Sequence, residues 1–275
     1  MHDILLVDNG STRPDATLNL RRLAVALGER TGETIHPISL LHADRVPVSA
    51  LEGKPAQMFE PFLRGRARDG VRHFVVLPLF FGRSRALTAF IPEQQQALAA
   101  EFEALTVDVA DALYPLPQGE QRLATILFDN VRRSAGVRSL DRIVLVDHGS
   151  PIPEVTEVRR RLAGYLRGLL GDTVELHEAV MERRKGVAYD FNGDLLEDVL
   201  TRLARQDAGR PVDLAMLFLS PGRHAGAGGD IETICRGVEE RYPGFRVTQS
   251  ALVGEHPELI EILADRLAAI PRASG

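Results

Sequence analysis

Residues 142–150 read RIVLVDHGS, and residues 3–11 read DILLVDNGS. Each holds four consecutive apolar residues (143–146 and 4–7), too few for a helix and rich in β-branched and leucine side chains, followed by a Gly-Ser turn signal. Both read as buried strands, and the second copy places His148 where its strand ends. In open parallel sheets ligands bind beyond the carboxyl ends of the strands, so a histidine there is well placed for function. The first copy has Asn9 at that position.

Working outward, apolar runs alternate with amphipathic stretches. Strands are expected over 4–7, 34–41, 74–81 and 105–109, and helices over 15–27, 58–67, 94–105 and 121–134. The same order returns after a polar, glycine-containing junction at 136–141. Strands follow at 143–146, 174–181, 214–219 and 247–252, and helices at 154–170, 193–205, 230–241 and 257–269. Strands alternating with helices of this length imply βαβ units, hence a parallel sheet covered on both faces.

The two halves match at a fixed spacing. Asp8 and Asp147, Pro14 and Pro153, and the Arg-Arg-Leu-Ala runs starting at Arg21 and Arg160 are each 139 positions apart; Gly82-Arg83 and Gly222-Arg223 are 140 apart. Such agreement indicates internal duplication. The expected fold is α/β, with two duplicated domains, 1–137 and 138–275, each a parallel sheet flanked by helices. A length of 275 residues accommodates two cores of ordinary size.

Composition narrows the classes. At 44% hydrophobic and 26% charged the chain is ordinary globular material. One cysteine, Cys235, excludes an internal disulfide framework and a cysteine-rich zinc module, which fits a reducing cytosol. No window approaches the ~18 apolar residues of a membrane span, and no basic-then-apolar leader opens the chain. A soluble, cytoplasmic protein is expected. A net charge of -5 argues against general nucleic-acid binding, which needs a concentrated basic face.

With the repeat as a ruler, equivalent strand ends can be compared. The second half carries His148, Glu182 and His224 after its first three strands; at the matching places the first half is expected to carry Asn9, His42 and Ser84. A lone strand-end histidine is usually structural, and a glutamate before a basic triplet is usually an exposed ion-pair member. The coincidence of three on one sheet edge raises the functional reading. His177, in mid-strand, and His256, before Pro257, read as structural. Arg183-Arg184-Lys185 is either a solvated loop or an anchor for an anionic substrate.

Around His224 the chain reads SPGRHAGAGGDIETI. Its glycines suggest a phosphate cradle, yet the spacing fits neither the dinucleotide fingerprint nor the P-loop. They are expected instead to admit a flat, bulky ligand close to the backbone and to let the loop move. Two histidines and a carboxylate without a fourth strong ligand suit an ion that is held and then released, unlike a closed structural zinc site. Imidazole also titrates near neutral pH, so the same groups can take up protons, and activity is expected to decline on acidification through roughly pH 6 to 7. The residues alone indicate a metal-handling or acid/base site on a parallel sheet edge.

The combination of DHGSP, Met181-Glu182 and FLSPGRHAGAGGDI resembles the class II chelatases that insert cobalt or iron into sirohydrochlorin for cobalamin and sirohaem synthesis. LLVDNGSTRPDA and VVLPLFFGRSRALTAFIP extend the resemblance over the first half. It implies His148 and His224 as metal ligands and bases, with Glu182 assisting. It further implies a tetrapyrrole in a cleft between the halves, its carboxylates met by Arg183, Arg184 and Arg223. The divalent ion, Co2+ or Fe2+, is then a substrate, and no retained cofactor is required. Asn9 and Ser84 depart from the family pattern and imply a catalytically silent first half. In double-length members of the family the histidines usually stand in the first half instead. Two other readings remain at this point: a non-catalytic carrier of divalent metal or tetrapyrrole, and a nucleotide-binding α/β protein using the glycines at 226–229. The metal, the pathway, and whether the chain is a monomer or a homo-oligomer stay open.

Overall fold

The computed structural model describes residues 2–270. In chain order the strands are β1 (His2–Asp8), β2 (Ile35–Ser39), β3 (His73–Pro78), β4 (Thr106–Val109), β5 (Arg142–Asp147), β6 (Glu175–Val180), β7 (Val212–Met216) and β8 (Val247–Gln249). The helices are α1 (Pro14–Thr31), α2 (Phe59–Arg68), α3 (Ile91–Glu101), α4 (Arg122–Ala135), α5 (Pro153–Leu170), α6 (Leu196–Gln206), α7 (Asp230–Arg241) and α8 (Glu258–Ala268). The strands form two four-stranded sheets, ordered β2-β1-β3-β4 and β6-β5-β7-β8, with every pairing parallel. This is the duplicated α/β architecture expected from the repeat.

Local chemistry sets the element boundaries. Pro14 and Pro153 open α1 and α5, where the missing N–H costs nothing and the ring presets the helical φ. Gly32 closes α1 in the left-handed conformation, its N–H returned to the Gly28 carbonyl at 2.8 Å. β7 stops at Met216, although apolar residues continue to Leu219; Leu217 is buried as packed loop, and Phe218 N–H turns back to the Met216 carbonyl. The helix expected over 94–105 starts earlier, after a π-helical turn at Ala86–Phe90, and ends at Glu101.

The chain packs as two compact units, each described by itself. Unit 1 runs to Gln118 and resumes at Pro257; unit 2 is continuous from Gly119 to His256. Unit 1 buries Leu5, Val7, Ile38, Phe59, Phe74 and Val76 between its sheet and helices. Unit 2 does the same with Val144, Val146, Leu200, Leu214, Ile231 and Phe245. At ~1.5–3 kcal/mol for each fully buried large apolar side chain, these cores supply the main driving force of each unit.

The sequence repeat predicts a boundary at 137/138, and packing divides the chain elsewhere because the last helix of each repeat changes units. α4 lies against α5 and β7 of unit 2, and its Asn130 side-chain amide donates to the Ala251 and Leu252 carbonyls at 3.2 Å each. α8 covers unit 1: Glu261 pairs with Arg30 at 2.8 Å, and Arg266 donates to the Ala112 and Leu113 carbonyls at 3.1 and 3.0 Å. Two similar sheets offer similar grooves, so an amphipathic stripe alone does not specify which one its helix covers.

Candidate metal-handling site

The site is built at the carboxyl edge of the unit 2 sheet. β5 ends at Asp147, and the chain reaches His148 and then Gly149 at φ +87. A Cβ on Gly149 would overlap the Glu182 carbonyl oxygen, so only glycine lets the strand crossing occur here. The same crossing lets Glu182 N–H donate to the His148 carbonyl at 3.1 Å. His148 and Glu182 are thereby fixed side by side through their backbones. Their side chains follow, with Glu182 Oε1 3.4 Å from His148 Nε2.

His224 comes from the loop between β7 and α7. Its ring faces His148 edge-on, with centroids 4.7 Å apart and the planes at 69°. Both rings are oriented through Nδ1. That of His148 lies 3.0 Å from the Gly149 carbonyl and that of His224 lies 2.6 Å from Asp230 Oδ2. A carbonyl oxygen and a carboxylate can only accept, so Nδ1 is the donor in each contact and Nε2 is the nitrogen left to meet a ligand. An outer carboxylate holding a histidine in this way is the usual second layer of a metal-binding imidazole. Among the described residues no three His, Cys, Asp or Glu side chains are grouped closely enough to hold a metal ion, so the two imidazoles are the paired element of the site and Glu182 stands beside one of them.

Glycines in the His224 loop serve the turn itself. A Cβ on Gly229 would stand 2.7 Å from the carbonyl oxygens of Arg223, His224 and Gly226, and one on Gly226 2.7 Å from that of Gly222. The close approach expected from a flat ligand is thus already filled by the loop's own backbone at these two positions.

Beneath the edge lies a buried polar network. Arg159, 2% exposed on α5, donates to Asp147 Oδ1 at 2.8 Å, to Glu178 Oε2 at 3.1 Å and to the Asn192 carbonyl at 2.6 Å. Asn192, wholly buried, accepts from Ser150 N–H at 2.9 Å and Thr156 Oγ1 at 3.2 Å, and donates to the Ser150 carbonyl at 2.8 Å. Burial pushes the Asp147 carboxyl above its ordinary value, against the pull of the Arg159 charge.

The expected anchors flank this edge. Arg183 donates to Asp190 at 3.0 Å; Arg184 stands 5.7 Å from the Tyr189 ring centroid; Arg223, largely exposed, is 3.4 Å from Asp230. His177 sits in β6 beside Glu175 at 3.6 Å, and His256 is buried 3.7 Å from Asp129, both away from the edge. Cys235 is buried in α7, where loss of solvation pushes its thiol up to about 12. Sequence reasoning missed Asp230, Arg159 and Asn192. Only Asp230 left a signal, as the first acidic residue after the glycine run.

The first unit holds the same edge without these groups. Leu41 N–H donates to the Asn9 carbonyl at 3.0 Å, the counterpart of the Glu182–His148 bond. Leu41 therefore stands in the place of Glu182, which corrects the expectation that His42 does; His42 is one residue further on, at φ 65.

The CbiX family model matches residues 3–130 and again residues 142–270. The chain belongs to the CbiX family. Its tandem form agrees with the class II chelatase resemblance carried by the two histidine motifs. Among solved structures of similar fold, SirB from Bacillus subtilis with Fe3+ aligns at a TM-score of 0.68 with 16% identity, covering 97% of this chain and 94% of that one. SirB from B. subtilis subspecies spizizenii in complex with cobalt aligns at 0.66, with 16% identity and the same coverage. CbiX, the terminal enzyme for siroheme biosynthesis in denitrifying bacteria, aligns at 0.60 with 15% identity, covering 98% of this chain and all of that one. At such identities these likenesses speak for the CbiX fold. No curated protein sequence matches significantly.

Proposed function

We propose that this protein is a tetrapyrrole metallochelatase that inserts a divalent ion, cobalt or iron, into sirohydrochlorin or a closely related macrocycle. The observation that carries the reading is the meeting of His148 and His224 at 4.7 Å, both oriented through Nδ1, with Glu182 beside His148. Membership of the CbiX family supports it.

In this reading the Nε2 lone pairs and the Glu182 carboxylate receive the ion as a substrate. As the ion passes to the macrocycle, two pyrrole N–H bonds break, their electron pairs become metal–nitrogen bonds, and the freed imidazoles accept the two protons. An incomplete donor set favours this transfer, because a closed four-ligand cage would retain the ion. Arg183, Arg184 and Arg223 pair with the peripheral carboxylates of the macrocycle, for which guanidinium forks are suited. Their partners in the structure, Asp190, Tyr189 and Asp230, are surface contacts that exchange readily for a substrate carboxylate. Among the described residues no helix is long and apolar enough to cross a membrane.

The test is turnover. Sirohydrochlorin incubated with Co2+ or Fe2+ and followed by its absorbance change is expected to metallate well above the spontaneous rate. Stoichiometric binding without turnover would support a carrier instead.

A further inference from the structure

The two units form an internal comparison. Asp147 has its counterpart in Asp8 and Thr156 in Thr17, at the repeat spacing of 139. That spacing puts Leu20 where Arg159 stands; both are buried, at 1% and 2% exposure. On the second loop, Arg160 donates to the Phe191 carbonyl and Arg21 to the Lys54 carbonyl, each at 2.7 Å. The bridges Ser39–Met58 and Val180–Leu195 confirm that register. Pro55 therefore occupies the place of Asn192.

Unit 1 keeps the outer members of the network and lacks its centre. Thr17 Oγ1 is buried with no hydrogen-bond partner among the described residues, whereas Thr156 Oγ1 bonds Asn192 at 3.2 Å. Asp8 is buried and held by the Ser39 hydroxyl at 2.7 Å, with no cation paired to it among the described residues. The sheet, the helix and the glycine crossing of unit 1 nevertheless form. This fold thus forms in unit 1 without an arginine or an asparagine at these places, and the two accompany the copy that carries His148 and Glu182.

Resting on the chelatase reading of the site, we propose that Arg159 and Asn192 are positioning residues that hold the His148 and Glu182 loops in register for the incoming divalent ion. Arg159 ties the end of β5, through Asp147, to Glu178 of β6 and to the Asn192 carbonyl. Asn192 ties Ser150, two residues past His148, to the loop that follows Glu182. One guanidinium and one amide therefore span both donor-bearing segments, and a buried polar network satisfied at every member is rigid. Neither side chain touches the ion.

The experiment uses the full chain and Co2+ alone as probe. Arg159→Leu combined with Asp147→Asn copies the leucine of unit 1 and removes the buried carboxylate, leaving only the partly exposed Glu178 to turn to water; Asn192→Ala leaves the Arg159–Asp147 pair in place. Co2+ dissociation constants come from visible titration, and KM for Co2+, KM for sirohydrochlorin and kcat from turnover. In both variants the Co2+ dissociation constant and KM are expected to rise tenfold or more, with KM for sirohydrochlorin within twofold of wild type and cooperative unfolding retained. If the double variant does not fold, Asn192→Ala decides alone. Co2+ binding within twofold of wild type in the folded variants overturns the proposal. A wild-type chain that binds Co2+ but turns over neither Co2+ nor Fe2+ overturns the chelatase reading and leaves this one standing, while one that binds neither ion overturns both.

Discussion

His148 and His224 meet edge to face, 4.7 Å between ring centroids, because parallel neighbours β5 and β7 deliver them to one edge of one sheet. Each ring is turned by an oxygen acceptor at Nδ1, which leaves Nε2 of each as the nitrogen available to a ligand. Replacing either histidine by alanine removes one ligand and one proton acceptor. His148→Ala and His224→Ala are each expected to lower kcat/KM by about 10²-fold or more, the usual scale for losing a general base. Neither ring belongs to the core clusters, so the thermal midpoint should move by only a few degrees. Initial metallation rates beside a melting curve check this; a variant keeping more than half the wild-type rate removes that histidine from the mechanism.

Glu182 should behave differently. Its Oε1 is 3.4 Å from His148 Nε2 and its side chain is 60% exposed, so it adds charge to the ion site more than it positions the ring. Glu182→Gln preserves size and removes the charge. The expected result is a several-fold increase in KM for the metal with a smaller change in kcat, the signature of lost ground-state binding. A kcat reduced as far as in the histidine variants would instead make Glu182 a proton acceptor in the rate-limiting step.

Much of this edge was legible in the sequence because strand ends carry a local signature. Four apolar residues, an aspartate and a glycine specify both a buried strand and the turn that exposes His148, and the repeat spacing supplies the comparison with Asn9. The network beneath was not legible. Arg159 lies on an amphipathic helix where an arginine normally marks the solvated face, and Asn192 sits in a loop where asparagine normally marks a turn. Their burial follows from α5 packing against β6 and against the short turn that ends at Asn192, a tertiary fact with no period of its own. The placement of α4 was hidden for a related reason: Leu123, Ile126, Leu127 and Val131 form a stripe that suits either duplicated sheet. The spacing grows from 139 at Asp8 and Asp147 to 141 at Leu41 and Glu182, which displaced Glu182 from its apparent partner His42, since alignment by spacing fails where loop lengths differ.

Removing metal should leave the fold alone. Both cores are assembled from aliphatic and aromatic side chains, and among the described residues no closed donor set ties two elements together. Dialysis against a strong chelator is therefore expected to leave the thermal midpoint unchanged within a degree or two. A drop of ten degrees, reversed by Zn2+ or Co2+, would show a resident structural ion.

Asp8 gives the stability a pH dependence of defined sign. Burial pushes its carboxyl up to about 6, offset in part by hydrogen bonds from Ser39 and the Gly10 N–H. The folded state then holds a proton that the unfolded chain releases near pH 4, so stability falls as pH rises from about 4 to about 6 and the penalty persists above that range. Asp8→Asn keeps the shape without the charge. Relative to wild type it should stabilise unit 1 by roughly 1–3 kcal/mol at pH 7.5 and by nearly nothing at pH 4. Urea unfolding of both proteins at the two pH values reads the difference; an equal effect at both would mean the carboxylate is not penalised by burial.

Gly149 tests whether the backbone crossing, rather than the side chains alone, builds the site. Its φ of +87 is a conformation L-residues seldom adopt, and an added Cβ would run into the Glu182 carbonyl, a backbone atom that cannot swing aside. The positive φ alone costs a non-glycine residue about 1–3 kcal/mol, and relieving the overlap must push the segments after β5 and β6 apart. That motion carries His148 away from Glu182. Gly149→Ala should therefore lose stability and also raise KM for the metal at least tenfold at temperatures where it remains folded. Gly10→Ala meets the same obstacle, the Leu41 carbonyl, at φ +82 in unit 1, where no donor pair depends on the crossing. It should show a similar loss of stability while the metal KM of the folded protein stays near wild type. If the two alanine variants change metal KM alike, the crossing at Gly149 has no part in placing the donors.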